Sequence, residues 1–215
     1  MLKAYISAMF LLFTPHTQVV PILLADNVLD VSVVIHMKEW VRQSDGTEKL
    51  GRFGCSGTYV SEDAVLTAAH CFEYPLESVY IRGIDKVSHK VMVKKLDKSH
   101  DLALLYVPDL TDDHTYAKLA KKVKIGEQVV SVGSPFSLEF LVSEGTVAQL
   151  GVKADDFKSH YIIHTGMINP GSSGGGAFNQ DGELMGVNTM SMGGLFGWAG
   201  ISMAVSTKDI REFLK

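Results

Sequence analysis

Residues 168–176 read Ile-Asn-Pro-Gly-Ser-Ser-Gly-Gly-Gly, and this stretch decides how the rest of the chain is interpreted. The glycines on both sides of Ser173 let the backbone turn sharply and approach another molecule closely. On its own, a serine among glycines is equally typical of a flexible loop. The stretch becomes informative only in combination with two segments earlier in the chain.

Those segments are Leu-Thr-Ala-Ala-His-Cys at residues 66–71 and Asp-Leu-Ala-Leu-Leu at residues 101–105. Each alone has a structural explanation, since His70 could be a core histidine and Asp101 a cap at the start of a buried strand. Together they supply what a serine nucleophile needs. A base takes the proton of the hydroxyl, and a carboxylate orients that base.

The three motifs, in the order His70, Asp101 and Ser173, resemble those of the chymotrypsin-like serine proteases. The bacterial HtrA (Deg) branch is the most similar, on the evidence of residues 168–175 and of Gly-Glu-Leu-Met-Gly-Val-Asn-Thr at residues 182–189. The resemblance covers about residues 28 to 212. It implies Ser173 as nucleophile, His70 as general base and acid, and Asp101 as orienting carboxylate. It also implies an oxyanion hole formed by the N–H groups of Gly171 and Ser173.

The implied fold is all-β, with two six-stranded antiparallel barrels and the catalytic residues in the cleft between them. The many short strand patterns separated by turns agree with this class. We expect an N-terminal barrel over residues 26–115, a crossover linker over 116–121 and a C-terminal barrel over 122–205. Ser-Thr-Lys-Asp at residues 206–209 is typical of a helix start and predicts one short helix over residues 206–215.

Composition narrows the possible functions. The 215 residues are 46% hydrophobic and 20% charged, as in globular proteins, and the net charge of −4 indicates no basic face for nucleic acid. His160 and His164 lie on a strand pattern and lack the helical spacing of a zinc pair. We expect no metal, no cofactor and no nucleic-acid partner; the sequence leaves oligomerisation open.

The N-terminal residues suggest export. Residues 1–13 carry one lysine followed by a mostly apolar run, which is typical of a secretory signal and too short to span a membrane. We therefore interpret residues 1–25 as a signal peptide and expect a secreted or periplasmic protein without stable membrane insertion. The alternatives are a buried first element in a cytoplasmic protein, or a viral or phage protease.

The two cysteines have two interpretations, a pair of free thiols or one bridge. Cys55 and Cys71 flank a strand-turn-strand unit that can fold back on itself. Many trypsin-like relatives carry a bridge at this place, whereas HtrA proteins generally lack it. We expect a disulfide if the compartment is oxidising.

Differences from the relatives bear on control and specificity. Ser172 replaces the aspartate with which trypsin-like zymogens bind a new N-terminus, so activation by N-terminal insertion is not expected. The chain ends at Lys215, and no PDZ domain is expected to follow. Met167 near the base of the primary pocket predicts an apolar P1 residue, with His164 as a competing indication of Glu or Gln. Residues lining the substrate cleft are predicted to be Met167, Thr189, Met190, Ser191 and Gly200.

Two function classes follow from the sequence. The first is a serine endopeptidase that acts on extended polypeptides through an acyl-enzyme. The second is a catalytically weak chaperone-like or peptide-binding module on a protease fold, which fold alone cannot distinguish from an enzyme. Covalent labelling of Ser173 separates the two.

Overall fold

The computed structural model of the protein describes residues 22–108, 110, 114–154, 157–194 and 197–215. Of residues 22, 23, 25, 194, 197 and 198 it describes the backbone alone. Most of the predicted signal peptide lies outside these residues. No helix in the described part of the chain is long and apolar enough to cross a membrane.

Thirteen strands and two α-helices are formed by the described residues. The helices are α1 (Ile22–Asp30) and α2 (Thr207–Phe213). The first seven strands are β1 (Ser32–Arg42), β2 (Glu48–Ser61), β3 (Ala64–Thr67), β4 (Leu76–Arg82), β5 (Ser88–Lys90), β6 (Met92–Asp97) and β7 (Leu102–Tyr106). The remaining six are β8 (Gln128–Gly133), β9 (Leu141–Lys153), β10 (His160–His164), β11 (Gly176–Phe178), β12 (Leu184–Gly194) and β13 (Gly197–Ser206).

The second six strands close into an antiparallel barrel with the order β10-β13-β12-β11-β8-β9. Successive side chains point to opposite faces of its strands, and in β10 both faces are covered, with Tyr161 in one buried cluster and Ile162 in another. Closure leaves no unpaired sheet edge, which is the usual way a small β-domain avoids an open edge. The predicted C-terminal barrel is thus present.

The first seven strands form one sheet with the order β5-β4-β1-β2-β3-β7-β6. Its two outermost strands, β5 and β6, are separated in the chain by Val91 alone. One residue can connect opposite edges only if the sheet is rolled so that the edges meet. The Val91 N–H donates to the Val79 carbonyl at 3.1 Å, which holds the corner against β4. Counted as one bent strand, β5 and β6 make this lobe a six-stranded half-barrel of the chymotrypsin-like fold.

The start of the first lobe is helical although its residues favour a strand. Val28 begins a run rich in β-branched residues, yet helix α1 continues to Asp30 and β1 begins at Ser32. Leu24, Val28 and Val31 are spaced as on one helical face, and all three are buried in the core shared with the second barrel. Burial of this face favours the helix over the strand propensity of valine.

Between the lobes the chain makes hydrogen bonds to each sheet in turn. The Ala117 N–H donates to the Tyr59 carbonyl of β2 at 2.9 Å, and the Ala120 N–H donates to the Leu184 carbonyl of β12 at 2.9 Å. A core of buried side chains joins both sheets beneath this crossing, with Leu66 and Leu102 from the first and Phe178 from the second. The two lobes therefore form a continuous body with a cleft on its surface.

Candidate active site

His70 lies in a short 3₁₀ turn, Ala69–Phe72, directly after strand β3. Its side chain is 35% exposed, and its Nδ1 atom is 2.8 Å from Oδ2 of Asp101. The backbone N–H of His70 donates to Oδ1 of the same carboxylate at 2.8 Å. The carboxylate thus fixes both the ring and the peptide of His70.

Asp101 immediately precedes strand β7 and is almost wholly buried, with 1% of its surface exposed. Its φ of +54° is unusual for a residue with a side chain and places it in the left-handed region, which aspartate tolerates better than most. The Thr189 hydroxyl donates a second hydrogen bond to Oδ2. A buried carboxylate needs hydrogen-bond donors to offset the loss of hydration. The His70 ring, the His70 N–H and the Thr189 hydroxyl are those donors.

The surroundings of His70 act on its pKa in opposite directions. Burial lowers the pKa, whereas the hydrogen bond and charge of Asp101, with the charge of Glu73, raise it. The net result is a pKa above the ordinary value of 6.5. Because Asp101 binds the Nδ1 side, the neutral ring carries its proton on Nδ1 and leaves the Nε2 lone pair available.

Ser173 lies across the cleft on the loop between β10 and β11 and is half-buried. Its Oγ is 3.5 Å from the carbonyl oxygen of Thr189, and no hydrogen bond joins it to the His70 ring among the described residues. The Ser173 carbonyl accepts the Ser56 N–H of β2 at 2.8 Å. The loop that carries the hydroxyl is therefore attached to the first lobe.

Two carbonyls of the Ser173 loop are held by backbone donors. Pro170 accepts the Phe136 N–H at 3.0 Å, and Ser172 accepts the Gly175 N–H at 3.0 Å. In a trans peptide the next N–H points away from the carbonyl. The N–H groups of Gly171 and Ser173 therefore point away from these two donors, and neither has a backbone partner among the described residues.

Two glycines of this loop are required by its geometry. Gly171 has a φ of +103°, and Gly174 has a φ of +85°. A Cβ on Gly174 would stand 2.0 Å from the Thr67 hydroxyl oxygen and 2.3 Å from the Ser56 carbonyl. Only glycine lets the loop approach the first lobe this closely.

The residues predicted to line the substrate cleft have different surroundings. Met167 is 37% exposed, and the Met190 side chain packs against the core between the lobes. The Thr189 hydroxyl points to Asp101, so its carbonyl rather than its side chain faces Ser173. Ser191 is exposed on β12, and Gly200, at a φ of +77°, has open space where a Cβ would stand.

His164 is completely buried on β10, and its Nε2 is 3.0 Å from Oδ1 of Asn188. The Asn188 amide nitrogen donates to the Ser131 hydroxyl at 2.8 Å, so its oxygen is the atom that faces the ring. Burial lowers the pKa of His164 to about 4, and the ring is neutral at physiological pH. It belongs to a buried polar network in the second barrel.

Cys55 and Cys71 form a disulfide, as expected. It connects β2 to the 3₁₀ turn that carries His70 and thereby fixes the turn to the sheet. Among the described residues, no group of three or more His, Cys, Asp or Glu side chains is arranged to hold a metal ion.

Sequence reasoning missed Ser56, whose buried hydroxyl lies between the lobes. It donates to the Gly171 carbonyl at 2.8 Å and accepts the Ser134 N–H at 2.9 Å. The sequence did contain one indication, because Ser56 directly follows Cys55. A disulfide from Cys55 to Cys71, beside His70, also brings Ser56 close to the active site.

Comparison with known proteins agrees with this architecture. Residues 55–187 match the family model of the trypsin-like peptidase domain. The chain is 32% identical over 190 residues to "Serine protease HTR4" of Rattus norvegicus, covering 84% of this chain and 37% of that protein. It is 33% identical over 153 residues to "Probable periplasmic serine endoprotease DegP-like" of Hahella chejuensis, covering 70% of this chain and 32% of that protein.

The fold also matches a solved structure, "HtrA-type protease AlgWS227A with decapeptide". The TM-score is 0.81 at 19% identity, over 90% of this chain and 65% of that one. This likeness shows the double-barrel fold. The chain spans about a third of the length of the curated relatives it matches.

Proposed function

The chain belongs to the family of trypsin-like peptidase domains, and on that premise we propose that it is a serine endopeptidase acting on extended polypeptides through an acyl-enzyme. The observation that carries the proposal is the buried Asp101 carboxylate on Nδ1 of His70, directly across the cleft from the glycine-bounded Ser173. His160 also has a buried carboxylate, Asp209, at its Nδ1, so the proposal depends on Ser173 opposite His70 as well as on the His70–Asp101 pair.

In the proposed reaction the Ser173 hydroxyl attacks the scissile carbonyl while Nε2 of His70 takes its proton. The same proton then passes to the leaving amine, and a water molecule repeats the sequence to release the acyl group. The attack requires Ser173 to rotate about χ1 from the Thr189 carbonyl toward His70. Exposed side chains change rotamer in picoseconds to nanoseconds, far faster than typical turnover.

The N–H groups of Gly171 and Ser173 are proposed to bind the oxyanion. Support comes from the donors on the Pro170 and Ser172 carbonyls, which leave both N–H groups turned to the opposite side. Donors fixed in advance need no reorganisation when charge develops, and one such donor typically contributes about 10²–10³ in kcat.

The substrate is proposed to bind as an added strand along residues 189–191 of β12. Met190 and Ser191 pair with Met203 and Ser202 of β13 on one side, while the β11 pairing of β12 ends at Val187. The other side of this stretch therefore has backbone groups that an extended peptide can use. The solved HtrA-type protease with the same fold is a structure with a decapeptide, which supports a polypeptide ligand here, and Met167 supports an apolar P1 residue.

An oxidising compartment is the proposed location, secreted or periplasmic. The Cys55–Cys71 disulfide supports it, because such bonds persist mainly outside the reducing cytosol. The periplasmic assignment in the name of the Hahella chejuensis relative points the same way.

Cleavage profiling with a peptide library tests the proposal. The wild-type chain is expected to cut within peptides and to favour one class of apolar P1 residue, and Ser173→Ala is expected to abolish every cut. Cleavage that persists in the folded Ser173→Ala variant would refute the assignment of the nucleophile.

A further inference from the structure

A groove begins beside the Ser173 loop and runs over the outer face of the first sheet. Its first part is a cavity of about 440 Å³ between Pro170 and Gly171 on one wall and Arg52 and Cys55 on the other. Its second part shares Arg52 with the first and continues to Lys38. We call the two parts together the basic groove.

The basic groove has more positive than negative charge, although the chain as a whole is acidic with 20 Lys and Arg against 24 Asp and Glu. Lys38 and Arg52 lie opposite each other on β1 and β2, and both are exposed. Neither forms an ion pair with any other described residue. Two like charges held side by side without a partner favour an anionic ligand.

One carboxylate is already present at the edge of the groove. Glu139 forms an ion pair with Arg82 and lies 3.9 Å from Nε2 of His36. Burial and the charge of Arg82 lower the pKa of His36, which leaves the imidazole neutral at pH 7. Glu139 therefore neutralises Arg82 and leaves Arg52 and Lys38 available.

The groove lies on the leaving-group side of the proposed reaction. Ser173 contacts Thr189 of β12 through its hydroxyl and Ser56 of β2 through its carbonyl, so it stands between the two strands. A peptide paired with residues 189–191 on one side of Ser173 continues, after the scissile bond, across Gly171 toward Cys55 and Arg52. This places the residues that follow the scissile bond in the basic groove.

We propose that the basic groove selects acidic side chains in the substrate segment that follows the scissile bond, with Arg52 as the main selecting residue. The proposal rests on the proposed endopeptidase function and adds the substrate class. Phe53 and Phe136, which are 40% and 66% exposed, provide apolar walls for the methylene groups of such side chains. Arg52 lies on β2, the strand that also carries Cys55 and Ser56. Because the Ser56 N–H donates to the Ser173 carbonyl, β2 fixes the position of Arg52 relative to the Ser173 loop.

The test compares C-terminally amidated, internally quenched peptides that are identical up to the scissile bond. The second to fourth residues after the bond are all Asp, all Asn or all Lys. At about 50 mM salt we expect kcat/KM to be roughly 5- to 10-fold higher for Asp than for Asn, and lowest for Lys. The preference should shrink at about 0.5 M salt, because exposed charges are then screened.

Arg52→Glu is expected to reverse the order of the Asp and Lys peptides. Arg42→Glu is the matched control, since Arg42 lies on the paired strand β1 and lines neither part of the groove, and it should keep the order. Glu139→Gln, which removes the carboxylate at the edge of the groove, should increase the ratio of Asp to Asn cleavage. A wild-type ratio near one, or a ratio that Arg52→Glu does not change, overturns the proposal.

A binding measurement separates this inference from the proposed function. The Ser173→Ala variant cannot form an acyl-enzyme, and fluorescence anisotropy with the labelled peptides reports its affinity alone. The Asp peptide should bind several-fold more tightly than the Asn peptide, and Arg52→Glu in the same background should remove the difference. Equal affinities refute the groove assignment even if the enzyme cleaves. A clear Asp preference without any wild-type cleavage refutes the endopeptidase and retains the acidic selectivity.

Discussion

The hydroxyl of Ser56, on the first sheet, donates a 2.8 Å hydrogen bond to the carbonyl oxygen of Gly171 in the second lobe. The same hydroxyl accepts the Ser134 N–H at 2.9 Å. One buried side chain therefore holds the Gly171–Ser172 peptide, which lies between the two peptides that carry the Gly171 and Ser173 N–H groups, and also holds the segment that packs behind it. The proposed oxyanion hole thus depends on the first sheet although its donors belong to the second lobe.

Ser56→Ala removes only one oxygen atom, but we expect it to impair catalysis strongly. The change leaves the Gly171 carbonyl and the Ser134 N–H without their partner, and a buried unsatisfied group costs about 1–3 kcal/mol. We expect kcat to fall about 10- to 100-fold and the free energy of unfolding to fall by a similar 1–3 kcal/mol. Steady-state kinetics and urea denaturation measure the two effects.

Ser61→Ala is the matched control, because Ser61 lies on the same strand and bonds only to the exposed Asp63 side chain. Full activity in Ser56→Ala would show that the loop is oriented without this hydroxyl.

Asp101→Asn should nearly abolish activity while the fold is retained. An amide that donates to Nδ1 stabilises the tautomer with the proton on Nε2, which cannot accept the Ser173 proton. The expected fall in kcat is about 10⁴-fold. Kinetics, with circular dichroism to verify the fold, measure this.

Asp97→Asn provides the control, because Asp97 also contacts a histidine ring, His100, at 2.7 Å but lies outside the cleft. It should leave the kinetics unchanged. An equal loss in both variants would mean that Asp101 acts only through general stability.

The acid limb of the pH–rate profile should report His70. The protonated ring cannot act as a base, so kcat/KM falls as the pH drops through the His70 pKa. Asp101 and Glu73 outweigh burial and raise that pKa, so the half-maximal rate is expected above pH 6.5. A profile measured across neutral pH on one peptide is sufficient. A rate that is flat from acidic to neutral pH contradicts the role of His70.

The family resemblance carried by the three motifs was enough to predict the double-barrel fold, whereas the catalytic roles of His70, Asp101 and Ser173 stay predictions. Helix α1 was not predictable in the same way. Valine favours strands, and only the core of the other lobe determines that Val28 is buried as part of a helix. The residue pattern around Val28 does not show which part of the other lobe will cover it.

Specific hydrogen bonds were also beyond the sequence. Thr189 is predicted to lie along the substrate cleft, but the sequence does not show that its hydroxyl donates to Asp101, which lies 88 residues earlier in the chain. Ser56 meets Gly171 across 115 residues. Such contacts are set by how two closed sheets pack, and no periodicity along one strand encodes them.

Loss of the Cys55–Cys71 disulfide should destabilise the first lobe. The bond closes a loop with a sequence separation of 16, and chain entropy predicts a contribution of about 3 kcal/mol. Urea denaturation of Cys55→Ser/Cys71→Ser is expected to show this loss. The wild-type chain should shift toward the double variant when a reductant is added, whereas the variant should not respond to reductant. Equal midpoints for the two proteins would exclude a stabilising role.

Labelling of the native chain with a fluorophosphonate tests the assignment of Ser173 most directly, because this reagent reacts with an activated serine and not with ordinary hydroxyls. We expect one label per chain, located by mass spectrometry on Ser173. We also expect no label in Ser173→Ala and a strongly reduced labelling rate in His70→Ala. A folded wild-type chain that takes up no label, or that is labelled on another serine, would show that Ser173 is not an activated nucleophile.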